Sequence, residues 1–160
     1  MNICVVPIRK DEGVECVIGQ GNFSVLTVET LAASLLTSAP SISFGVAMNE
    51  AKPRLVRVEG NNEALKAAAA EACLSIGAGH AFVVMMRDAY PINVLPALKA
   101  NPGVCTIFGA SENPLEAVVG ESPLGRAVLG VVDGTPAASI ETPEEKKGRK
   151  ALLSMLGYAG

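Results

Sequence analysis

Tryptophan is absent from this 160-residue chain, and aromatic residues make up only 4% of it. Proteins that read nucleic acid by base stacking need more aromatic faces than that. Charge is also scarce. The net charge is -3 with His neutral, so no basic field exists to draw in a phosphate backbone. The 4 cysteines show no C-x-x-C spacing, and the chain has 1 histidine. A zinc cage would lack ligands, and no metal site is expected. Cys4, Cys16, Cys73 and Cys105 read as reduced core thiols. No apolar run approaches the ~18 residues of a membrane span. Met1 to Ile8 is apolar, but its positive charges follow it and no small-residue cleavage site appears. That is the reverse of a signal peptide, so a cytoplasmic location is expected. Nucleotide loops are missing too. Gly77-Ala78-Gly79 follows a helical pattern, whereas dinucleotide and P-loop fingerprints follow a strand, and no G-x-x-x-x-G-K-[ST] occurs.

What is present is apolar and finely divided. Hydrophobic residues are 49% and charged residues 18%, a globular balance. The length predicts one domain over residues 1–160 with room for a full core. The 16 glycines and 10 prolines predict short elements joined by tight turns. Asn2 to Arg9 and Val14 to Gln20 read as a hairpin about Gly13. Thr27 caps a helix from Val28 to Ser38, stopped by Pro40. Ile42 to Asn49 and Arg54 to Glu59 read as strands, and Asn61 as the cap of an Ala-rich helix from Asn62 to Ile76 that Gly77 ends. Ala81 to Arg87 is a buried strand, followed by a helix from Pro91 to Ala100. Val104 to Gly109, Leu115 to Glu121 and Arg126 to Asp133 are further strands, and Thr142-Pro143-Glu144-Glu145 opens a last helix with a capping box. The expected fold is an α/β sandwich with a mixed sheet and packed helices, not a doubly wound one.

Geometry constrains where chemistry can occur. Arg54 to Glu59, the Ala-rich helix and Ala81 to Arg87 read as a βαβ unit, whose strand starts lie at one end of the sheet. That end should carry His80, the turn after Asn49 and Glu50, and the turn from Glu121 to Arg126. Arg87, Asp88, Tyr90, Asn93 and Asn113 should fall at the opposite end, roughly 20 Å away along the strand. The two groups can share a site only across a subunit boundary.

His80 is the strongest single candidate, because a neutral imidazole can act as base, nucleophile or phosphoryl acceptor. Its bland alternative is a structural histidine bonded to backbone. Glu50 could orient its tautomer, while the nearby helix end favours the protonated ring. Arg87 and Arg126 suit phosphate forks or surface ion pairs. Asp88 reads either as a cap or as part of an anion site at the Pro91 helix, and Asn113 either as a turn former or as a reader of a ligand edge. Tyr90 with Asn93 could flank a ligand slot, or Tyr90 could be plain core.

The sequence resembles the adenosine-specific kinase family over essentially its whole length. The resemblance rests on I-G-Q-G-N-F at Ile18 to Phe23, F-G-V-A-M-N-E-A at Phe44 to Ala51, I-G-A-G-H-A-F at Ile76 to Phe82 and R-D-A-Y-P-I-N-V-L at Arg87 to Leu95. A-S-E-N-P at Ala110 to Pro114, G-R-A-V-L-G-V-V-D-G at Gly125 to Gly134, G-R-K at Gly148 to Lys150 and L-G-Y at Leu156 to Tyr158 continue it. It implies an α/β domain that forms homo-oligomers, binds adenosine and AMP in preference to ADP or ATP, and holds a phosphoryl group on a histidine that maps to His80. Candidate catalytic residues are then His80 and Glu50, with Asn49, Arg87, Asp88, Tyr90, Asn93, Asn113 and Arg126 as substrate-binding candidates. The residues name no cofactor and no phosphate donor; magnesium with a nucleotide is one candidate donor. A non-enzymatic adenosine-binding module and an oligomeric scaffold are the competing readings, with neither nucleic acid nor membrane as a partner.

Overall fold

A computed structural model describes residues 1–22, 24 and 27–157; Phe23 and Tyr158 of the family-like motifs lie outside the described residues. In chain order the elements are β1 (Asn2–Ile8), β2 (Glu15–Gly21), α1 (Val28–Ser38), β3 (Ser43–Glu50), β4 (Leu55–Gly60) and α2 (Glu63–Ile76). They continue with β5 (Ala81–Arg87), α3 (Pro91–Ala100), β6 (Val104–Ser111), β7 (Leu115–Glu121), β8 (Arg126–Asp133) and α4 (Pro143–Met155). Five strands form one sheet in the order β4-β3-β5-β2-β6, and three form another in the order β1-β7-β8.

The five-stranded sheet is covered on both faces, which is why its central strands read as unbroken apolar runs. On one face Val28, Leu31 and Leu35 of α1 and Val94 and Leu98 of α3 pack on Phe44, Val46, Phe82 and Val84. On the other, Leu65, Ala69, Cys73 and Ile76 of α2, with Ala117 and Val119 of the small sheet, pack on Ala47, Ile18, Val83 and Met85. Burial pushes the Cys16 and Cys73 thiols up to about 12.

The α/β class holds, with differences in detail. Among the described residues, every hydrogen-bonded strand pair is antiparallel rather than mixed. β4 and β5 do run parallel, as a crossover demands, but β3 lies between them and is antiparallel to both. β1 and β2 do not form the expected hairpin: β1 pairs with β7, and β2 pairs with β5 and β6. Their burial explains the split. β1 alternates between exposed and partly buried positions, as a strand with one wet face does, whereas β2 is buried on both faces. The turn at Gly13 (φ 74) therefore carries the chain from one sheet to the other. The cap of α2 is Asn62, one residue later than expected. Asn61 instead bridges into β3, accepting from the Phe44 N–H at 2.8 Å and donating to the Ile42 carbonyl at 2.8 Å.

A candidate site around His80

The end of α2 sets up the site. Gly77 takes the left-handed conformation (φ 66), and its N–H caps the Cys73 carbonyl. The chain then turns through buried Ala78 and Gly79 into His80, whose own φ is 57. A left-handed non-glycine residue costs roughly 1–2 kcal/mol, and neighbours on both sides enforce it here. The His80 N–H donates to the Asn49 carbonyl at 3.1 Å, while the His80 carbonyl accepts from the Gly21 N–H at 3.0 Å. The residue thus bridges the end of β3 and the end of β2. From β2, Gln20 Nε2 donates to the Gly79 carbonyl at 3.3 Å.

Asn49 braces this loop. Its buried side-chain amide donates to the Cys73 carbonyl at 2.8 Å and to the Ala78 carbonyl at 2.9 Å, tying the last turn of α2 to β3. Both amide hydrogens are taken up by backbone. The Glu50 carboxylate is 2.5 Å from Arg57 Nε. Arg126 lies where the β7–β8 turn meets α2: one guanidinium nitrogen donates to the Ser75 carbonyl at 3.0 Å, and another pairs with Glu121 at 2.6 Å. A cation at that position offsets the negative end of the α2 dipole.

These elements surround an open groove of about 1740 Å³. Glu50, Glu121, Arg54 and Arg126 supply its charge, and Leu55, Leu74 and Leu124 supply apolar surface. His80 is not among its lining residues; Asn49, Glu50 and Gly79, its neighbours in space and sequence, are. Among the described residues, no group of three His, Cys, Asp or Glu side chains could hold a metal ion, and no helix is long and apolar enough to cross a membrane.

The other candidates collect at the far end of β5. Tyr90 is the N-cap of α3 and is 56% exposed rather than core. Asn93 reaches back to accept from the Tyr90 N–H at 2.8 Å, so the helix start is capped without Asp88, which sits at φ 61. Asn113 donates to Asp133 at 3.0 Å. Arg87 ends β5 beside the Gly13 turn. There too Glu15 is buried; desolvation first, then the charges of Glu112 and Asp133 against that of Lys10, push its carboxyl upward. The structure thus brings His80, Asn49, Glu50 and Arg126 together and leaves Arg87, Asp88, Tyr90, Asn93 and Asn113 at the opposite end. Sequence reasoning missed Arg54, Arg57, Gln20 and Ser75, whose proximity follows from strand register and carries no local signal.

Fold and groove define an α/β protein in which one constrained histidine adjoins an open cleft of mixed polarity. The chain belongs to the adenosine-specific kinase family, whose profile, described as "Adenosine specific kinase", matches residues 6–159. It is also similar to the crystal structure of the PH1918 protein from Pyrococcus horikoshii OT3, with a TM-score of 0.95 and 56% identity, covering 99% of this chain and 98% of that one. No curated protein matches the chain.

Proposed function

We propose that this protein binds adenosine and AMP in the groove beside His80 and is an adenosine-specific phosphotransferase, with His80 as the residue that accepts the phosphoryl group. The observation that carries the reading is the left-handed His80, clamped between Asn49 and Gly21 and flanked by the groove-lining Asn49 and Gly79. Strained backbone of this kind persists where surrounding structure over-determines it, and it concentrates at functional sites. Family membership supports the choice of nucleoside. In this reading Leu55 and Leu74 flank the base, Arg54 and Arg126 attract the phosphate, and Glu50, fixed in place by Arg57, orients the imidazole. Asn49 acts through the backbone as a positioning residue. Arg87, Asp88, Tyr90, Asn93 and Asn113 join the site only where a second subunit brings them, and a homo-oligomer is part of the proposal.

The chemistry is a double displacement. An imidazole nitrogen lone pair forms an N–P bond as the bond to the leaving oxygen of a nucleoside polyphosphate breaks, that oxygen keeping the electron pair. An adenosine hydroxyl then forms the new P–O bond as N–P breaks, and its proton passes to solvent. Magnesium would travel with the donor nucleotide.

Two measurements test this. A thermal-shift panel should show adenosine and AMP each stabilising by about 2.7 kcal/mol at 100 times the dissociation constant, roughly 5–10 °C for a chain of this length. ATP binding more tightly than AMP without magnesium would overturn the selectivity, and no binding by either at near-millimolar concentration would favour a scaffold. Intact-mass analysis at neutral pH after incubation with Mg-ATP should show one added phosphoryl group that His80→Ala and His80→Gly both lack. Gly is free of the left-handed penalty, so it should be more stable than Ala by about 1 kcal/mol. Phosphate retained on both variants would sink the role of His80.

A further inference from the structure

The charged side chains that line the groove beside His80 are Glu50, Arg54, Glu121 and Arg126. Most of that charge cancels locally. Arg57, outside the lining, pairs with the Glu50 carboxylate at 2.5 Å. Glu121 pairs with Arg126 at 2.6 Å. Strand register fixes this second pair, because the two residues are directly opposed where the β7–β8 ladder meets its turn. Arg126 is held from another side as well, by its bond to the Ser75 carbonyl at 3.0 Å. Arg54 differs. Its side chain is exposed and, among the described residues, enters no ion pair or hydrogen bond. Glu50 with Arg57 and Glu121 with Arg126 each sum to zero, which leaves the positive charge of Arg54.

That balance sets what the groove can take. A phosphomonoester carries about 1.5–2 negative charges at pH 7. A free guanidinium matches it with two parallel hydrogen bonds. Each further phosphoryl group adds negative charge. It would meet cations already neutralised, or the carboxylates of Glu50 and Glu121 themselves. Juxtaposed like charges work against binding.

We infer that Glu121 restricts the groove to a single phosphate. By neutralising Arg126 it leaves Arg54 as the uncompensated cation of the lining, so a nucleoside monophosphate is taken in preference to a di- or triphosphate. Arg54 makes the direct phosphate contact, and Arg126, compensated by Glu121, contributes less. The inference rests on adenosine and AMP as ligands of this groove. It assigns the residues that set how many phosphates are admitted.

Calorimetry with adenosine, AMP, ADP and ATP, without magnesium, tests it on the full chain. Glu121→Gln keeps the shape of the side chain and uncovers a second cation. Its ATP affinity relative to AMP should rise roughly tenfold, the worth of one hydrogen bond to a charged group. Glu121→Asp, which keeps the charge, should hold the wild-type ratio. Arg54→Gln should lower AMP affinity relative to adenosine roughly tenfold, and that ratio should lose its salt dependence. Exposed ion pairs add little stability, so both Gln variants should melt within about 4 °C of wild type. A wild-type ATP-to-AMP ratio in Glu121→Gln would overturn the inference and leave adenosine binding standing. So would a wild-type AMP-to-adenosine ratio in Arg54→Gln. A protein that binds none of the four ligands would sink the proposed function instead. The charge balance is then read with orthophosphate and tripolyphosphate by phosphorus NMR. Orthophosphate should bind the wild type more tightly, with the difference reduced in Glu121→Gln. Tighter tripolyphosphate binding by the wild type would overturn the inference by itself.

Discussion

Asn49→Ala removes the brace that holds the His80 loop, and its effect can be worked out bond by bond. The wild-type amide makes two hydrogen bonds to carbonyls, at 2.8 and 2.9 Å. Each contributes about 1 kcal/mol net. Neither carbonyl is orphaned by the change. Cys73 O still accepts from the Gly77 N–H at 3.0 Å and Ala78 O from the Ala81 N–H at 3.3 Å. The larger desolvation penalty therefore does not apply, and the vacated volume adds a smaller term. The expected loss is about 2–3 kcal/mol, or roughly 5–10 °C in Tm, read by urea denaturation and calorimetry. Asn49→Asp should be worse at pH 7, because it turns two donors into acceptors facing two carbonyl oxygens. Its folded-state pKa would be raised by burial, so the folded state holds the proton more tightly than the unfolded one. Stability of that variant should fall as pH rises above about 4, and its deficit against Asn49→Ala should shrink in acid. An Asn49→Ala protein within 0.5 kcal/mol of wild type would refute the brace.

Three further outcomes follow from packing and titration. Gly45→Ala should cost about 3 kcal/mol, the top of the overpacking range. Its Cβ would sit 2.3 Å from the Leu65 carbonyl carbon and the Lys66 nitrogen, backbone of α2 that cannot swing aside; a two-state melt within 1 °C of wild type would contradict that close approach. Glu15→Gln should raise stability at pH 7 and leave it unchanged at pH 4. The folded-state carboxyl is raised above its ordinary 4.5, so wild type loses stability as pH rises through that window; a destabilised Gln variant at pH 7 in denaturant titrations would refute the sign. With a thiol reagent at pH 8, exposed Cys105 should react first and Cys4 more slowly, while Cys16 and Cys73 wait for unfolding. Labelling of all four at one rate under native conditions would show that the core between α2 and the sheet opens readily.

Local chemistry was legible in the sequence. The caps Thr27 and Thr142, the left-handed Gly77 and the exact spans Leu115–Glu121 and Arg126–Asp133 each depend on residues within a few positions of one another. So did the crossover from β4 to β5, because a helix between two strands returns the chain in the same direction; that put His80 beside Asn49. Partner choice was not legible. That β1 leaves β2 for β7, that β3 inserts between β4 and β5, and that Asn61 stitches β3 while Asn62 caps α2 are decided by which faces of each strand are covered. The groove is of the same kind. Arg57 meets Glu50 through strand register, and Arg126 meets Ser75 across 51 residues, contacts that exist only once both sheets and α2 are packed. Sequence patterns encode the period and the ends of an element, whereas long-range pairing is a competition among whole surfaces that only the tertiary structure resolves.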